Sequence, residues 1–291
     1  MADKIEQFDS YDIRVGAGKR GTLVNDKMDG VWESYEENQL ISKITYKGGL
    51  KEGSSETYTD GKLSSSGNYK NDKQEGVWLY YENEKIKYKM TFKNGLFDGL
   101  NEQYDVNGQL TSRMNYKANI LDGYCENYEK GKIKFRQLYK NGKSMPVSEA
   151  YNENGQLEMK DYLNEDGIPV SETYKNGQLR YRIISYPNGA TTENYDENGQ
   201  LEMKDYLNKD GIPVSETYEN GQLIRRTIDH PNGAITESYD EKGMLSYKHY
   251  NNEEGKRVSD SYKDGKIESR HILEKSLEIQ DIYIPSMKKT V

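Results

Sequence analysis

The chain has 291 residues, 31% charged and 33% hydrophobic, with a formal net charge of −8; its mean hydropathy is −1.07 and its pI about 5.2. This is too polar for a thick two-layer core, while 26 tyrosines argue against disorder, whose composition is poor in aromatics. The acidity opposes phosphate backbones and anionic headgroups, so neither nucleic acid nor membrane is expected as a partner.

Down the chain a tyrosine returns at positions 35, 58, 81, 104, 128, 151, 174, 195, 218, 239 and 262, at gaps of 21 to 24 residues. A fixed period in this range means one supersecondary unit stacked on copies of itself. One repeat, Gly76 to Gly99, shows its parts. One short run ends at Tyr81, a turn follows, and Ile86, Tyr88, Met90 and Phe92 then alternate with polar residues, the period-2 mark of a half-buried strand. Asn-Gly and Asp-Gly pairs recur twice per period, and each is a hairpin signal because both residues tolerate positive φ. The expected fold is all-β: an elongated repeat meander of about 20 antiparallel strands, largely a single-layer twisted sheet. Tyrosines in register would pack as a ladder along one face with their hydroxyls in water. A short helix over 273–279 is the one exception.

The array divides into an N-terminal segment or cap (1–19), a first half (20–145), a second half (146–265) and a C-terminal cap or tail (266–291). Residues 151–179 and 195–223 are nearly the same sequence 44 residues apart. There the Gly of the first half gives way to Ile168-Pro169 and Ile212-Pro213, and proline, which cannot donate to a ladder, places these points at an edge or turn. The single cysteine, Cys125, forms no internal disulfide, and the N-terminus lacks an apolar leader core; both predict a reducing, cytoplasmic location.

The segments Gly30-Val-Trp-Glu-Ser-Tyr35 and Gly76-Val-Trp-Leu-Tyr-Tyr81, with their Tyr-Lys-Asn-Gly linkers, resemble MORN repeats, and within these the bacterial variant class of the YwqK family of antitoxins. The resemblance covers roughly 20–265. It implies a β-hairpin array that binds and silences a toxin, as an antitoxin or immunity protein. In the second half the Gly-x-Trp element is lost and the spacing alternates between 23 and 21.

Arrays of this kind present surfaces more than clefts. The candidate contacts are Trp32, Trp78, Tyr81, Tyr104, Tyr128, Tyr151 and Tyr174, since aromatics are enriched at interface hot spots; the competing reading makes them the packing that holds the sheet together. Arg180, Arg182, Arg225 and Arg226 are either a patch for an acidic partner or solvated strand faces. The loops at Asn164 and Asp196 echo calcium-loop spacing but read as turn chemistry. His230, His249 and His271 show no ligand spacing, and no nucleophile elbow, phosphate loop or paired zinc ligands occur. No catalysis, cofactor or metal is expected. The partner is expected to be a protein, a basic toxin being the first candidate; a glycan- or cell-wall-binding module and a structural scaffold are the alternatives.

Overall fold

The computed structural model describes residues 3–14 and 16–273, in two compact units, Met1–Leu163 and Asn164–Val291. Among the described residues there are 25 strands and no helix. The surplus over the expected number includes Ile5–Asp9 within the N-terminal segment, Lys266–Leu273 beyond the last repeat, and the two-residue Leu96–Phe97. Leu273 ends a strand, and 274–279 of the expected helix lie outside the described residues. Within each unit successive strands pair antiparallel through short turns, as the twice-per-period turn signals require. The partition at Leu163/Asn164 falls about one hairpin later than the composition change at 145/146.

All eleven periodic tyrosines sit where the pairing register shifts. In each case the following strand carries one extra residue: Tyr58 pairs with Leu63 and Thr57 with Ser65, leaving Ser64 over. Such a bulge increases local twist and re-aims the flanking side chains. The first unit has a second, wider irregularity. Tyr46 pairs with Lys51 but Ile44 with Ser55, so two extra residues lie around Glu52 and Gly53. Gly53 has φ 110° and Gly123 φ 121°, angles at which an L side chain is strained.

This corrects one reading of the turns. Asp29-Gly30 and Asp122-Gly123 lie inside strands Lys27–Glu36 and Ile120–Glu129, and Asp98-Gly99 between Leu96–Phe97 and Gly99–Tyr104. The acid before the glycine reaches across to a turn: Asp29, Glu52 and Glu75 accept backbone N–H bonds from Gly48, Asn71 and Asn94 at 2.8 to 3.0 Å. True two-residue turns, such as Asn176-Gly177 and Asn220-Gly221, have both residues at positive φ. Other Asn-Gly pairs lie in five-residue loops closed by an Asx side chain; Asp196 Oδ1 accepts from the N–H of Asn198 and of Gln200. The Asn164 loop is closed in the same way, so these oxygens serve their own backbone. Pro169 and Pro213 each begin a strand.

Strand alternation gives the sheet two unlike faces. On one, the first unit carries its aromatic core. Trp32 and Trp78 are 4% and 3% exposed, and each indole N–H donates to a backbone carbonyl, of Thr22 and Asn68. Each ring lies on a glycine of the preceding strand, so that a Cβ at Gly21 or Gly67 would stand 2.3 Å from it. Ring contacts run from Tyr69 through Trp78, Phe92 and Phe97 to Tyr116 at centroid distances of 4.9 to 6.4 Å.

Candidate functional site

The other face carries a column of charge, one residue per strand. In the first unit Lys89, Glu102, Arg113, Glu126, Arg136, Glu149 and Lys160 stand directly opposite one another on successive strands. In the second the column runs Glu172, Arg182, Glu193, Lys204, Glu216, Arg226, Glu237, Lys248, Asp260 and Arg270. Sign alternates at each strand, the arrangement that stabilises directly opposed charges. It is interrupted in the first unit, where Glu56 faces Ser66 and Ser66 faces Leu79.

The column is buried on its acidic side. Glu102, Glu172, Glu193 and Glu216 are 5 to 8% exposed and Asp260 1%. Arg113, Arg182 and Arg226 bridge acids on neighbouring strands: Arg182 reaches Glu172 at 2.9 Å and Glu193 at 3.2 Å, and Arg226 reaches Glu216 at 2.8 Å and Glu237 at 3.7 Å, while Arg136 pairs with Glu149 and Arg270 with Asp260. Removing carboxylates from water is expensive unless they are paired and fully hydrogen-bonded. The periodic tyrosines complete that bonding. In nine of the eleven the hydroxyl donates to the glutamate two residues earlier, at 2.6 to 2.9 Å for Tyr35, Tyr58, Tyr104, Tyr128, Tyr195, Tyr218 and Tyr239. Tyr151 and Tyr174 donate likewise to Glu149 and Glu172. The expectation of an aromatic stripe with wet hydroxyls is therefore corrected: the centre of this face is an acid–base ladder, and the phenols are its donors.

The ladder sets the protonation behaviour of the face. Burial raises Glu216, but hydrogen bonds from Tyr218 and Arg226 outweigh it and hold the carboxyl below its usual range; Glu102, Glu149 and Glu193 are lowered by the same balance. Burial first, then the bond to the neighbouring glutamate, pushes Tyr128, Tyr151, Tyr195 and Tyr239 up to about 12. For Tyr58, also about 12, the bond to Glu56 is the larger cause. A phenol raised in the fold contributes stability that is complete below the unfolded value near 10 and is lost as pH rises through the folded one. Alkaline titration is therefore expected to unfold the sheet between about pH 10 and 12, with tyrosinate absorbance and loss of β-sheet circular dichroism rising together. Phenols ionising near 10 with the sheet intact would remove the ladder bonds from the argument.

The site residues named from sequence are dispersed by this geometry. Trp32 and Trp78 are interior, while Tyr81, Tyr104, Tyr128, Tyr151 and Tyr174 are half-buried along the ladder. The four arginines form no cluster. Arg182 and Arg226 belong to the ladder, Arg225 is exposed on the opposite face, and Arg180 is the extra residue of the bulge at Tyr174. Sequence reasoning missed the ladder glutamates, although Glu-x-Tyr recurs in nine units. His249 and His271, scattered in sequence, flank Ser259 on adjacent strands. Among the described residues no three His, Cys, Asp or Glu stand together as a metal site.

Because the ladder consumes its own charge, what faces a partner lies at the strand ends. In a meander alternate turns share an edge. The turns that follow the periodic tyrosines of the first unit expose Glu36, Glu37, Glu82, Glu84, Glu129 and Glu153, with Lys62, Lys85, Lys130 and Lys132 on the same edge. Two of these already meet lysines, Glu82 with Lys87 and Glu84 with Lys62, contacts worth little in water. The other edge exposes Lys47, Lys70, Lys93, Lys117 and Lys140.

A family model described as "MORN repeat variant" matches residues 28–47, 74–94 and 97–118. Each matched stretch lies in the first unit and contains an acid-Gly pair at the wide irregularity, Asp29-Gly30, Glu75-Gly76 or Asp98-Gly99. No curated protein matches the chain. Among solved structures, an alternansucrase in complex with isomaltononaose is 12% identical over 78% of this chain, with a TM-score of 0.19. The chain spans 19% of that enzyme's length, and a likeness this slight carries no argument.

Proposed function

We propose that this repeat scaffold is a non-catalytic protein-binding array, and that its partner is a toxin which it silences. The observation that carries the reading is the exposed edge of the first unit, on which Glu36, Glu37, Glu82, Glu84, Glu129 and Glu153 outnumber the lysines of the same turns, beside a face whose own charges are satisfied internally. Such an edge suits a partner with a basic surface around its active site, held by electrostatic complementarity and steric cover. Association of this kind is fast and weakens with salt.

The test is capture of the partner by the tagged full chain from its native host, followed by expression of that partner alone. A single stoichiometric, basic protein that is toxic by itself, and is released by salt or by the combined change of Glu36, Glu37, Glu129 and Glu153 to lysine, is the expected result. Recovery of the bait alone, or of a partner that binds the charge-reversed chain equally well, would overturn the reading.

A further inference from the structure

Two grooves in the second unit stand 44 residues apart and are built from equivalent positions. One, of about 570 Å³, is lined by Tyr186, Asn188, Lys204, Tyr206, Asn208 and Glu216. The other, of about 400 Å³, is lined by His230, Asn232, Lys248, Tyr250, Asn252 and Asp260. Both volumes are in the range of small-ligand sites.

Their charges select the class of ligand. In each groove the acid on the floor is neutralised: Glu216 by Arg226, Asp260 by Arg270. The lysine is neutralised as well, Lys204 by Glu193 at 3.4 Å and Lys248 by Glu237 at 3.1 Å. At the rim the equivalent residues have opposite sign, Lys209 in one groove and Glu253 in the other. A ligand common to both grooves therefore gains nothing from net charge. What the two share is side-chain amides, an inner phenol whose hydroxyl donates to the floor acid (Tyr206 to Glu216 at 3.1 Å, Tyr250 to Asp260 at 3.3 Å) and an exchangeable ring at the mouth, Tyr186 or His230. Tyr186 is 44% exposed. Amides with flat rings suit a neutral molecule that has hydroxyls on its rim and C–H bonds on its face.

We propose that these grooves are two equivalent sites for a neutral oligosaccharide. They lie on the same face and are four strands apart, roughly 19 Å at the usual strand spacing. A linear chain of several sugar residues can therefore enter both, and the second contact is then made at high effective concentration. This inference is independent of the toxin reading, since the acidic edge lies in the other unit.

The experiment is an array of neutral and acidic oligosaccharides probed with the full chain, followed by isothermal titration of the best neutral binder at two lengths. The expected result is a short oligosaccharide bound at two equal sites and a longer one bound once, at least tenfold more tightly. Tyr186→Ala and His230→Ala should each leave one site for the short ligand, and together abolish binding with the circular dichroism spectrum unchanged. Absence of binding to any neutral oligosaccharide at millimolar concentration, a preference for charged ones, or retention of both sites in the double variant would each overturn the proposal.

Discussion

Replacing Glu216 by alanine is expected to lower the unfolding free energy by roughly 3 kcal/mol, the scale for breaking a buried ion pair from one side. The glutamate is 5% exposed and accepts from Tyr218, Arg226 and Tyr206, so its loss strands three donors at once. Glu216→Gln keeps an acceptor for Tyr218 but not the charge, and should fall between the variant and the parent chain. Urea unfolding followed by circular dichroism reads the difference. If Glu216→Ala unfolds at the same urea concentration as the parent, the ladder is ornament and stability comes from Val170, Val214 and Val258, which are buried on the same face.

Trp78→Ala should be as severe or worse, about 3–5 kcal/mol for deleting a large buried aromatic. Its indole meets Tyr69, Phe92 and Gly67, so the void opens between neighbouring strands. Gly67→Ala attacks the same contact from the other side, because the added Cβ would stand 2.3 Å from the ring, and overpacking of this kind costs about 1–3 kcal/mol. The two changes together should be less harmful than their sum, since the methyl group then enters vacated space. Both tryptophans lie in the first unit, so indole fluorescence follows that unit while circular dichroism follows the whole chain. Additive losses would show that Gly67 serves the backbone and not the ring.

Much of the fold was legible because it is written locally. The tyrosine period, the alternation at Ile86 to Phe92 and the Asn-Gly pairs each report on a few consecutive residues, and together they specify an antiparallel meander. What escaped depends on register between strands. Arg182 and Arg226 look like surface charge until the pairing sets them opposite Glu172 and Glu216. Arg225 and Arg226 are neighbours in sequence and on opposite faces in the sheet. The bulge at each tyrosine escapes a periodicity reading because the extra residue lies so near the start of the following strand, as Ser64 does in Lys62–Lys70, that too few residues precede it for the inverted phase to show. Asp29-Gly30 was misread for a related reason: a glycine at φ 76° serves a kink within a strand as well as a turn between two.

The alternating ladder also limits how such a chain can change length. One strand added or deleted would set two like charges side by side at that point of the column, whereas a hairpin contributes one acid and one base and leaves the sequence of signs unbroken. Growth is therefore restricted to even steps. The near-identical segments 44 residues apart span four strands, from Tyr151 to Tyr195, so that duplication satisfied the rule automatically. Unequal recombination in this gene can lengthen or shorten its product by whole hairpins and still deliver a neutral, bonded interior.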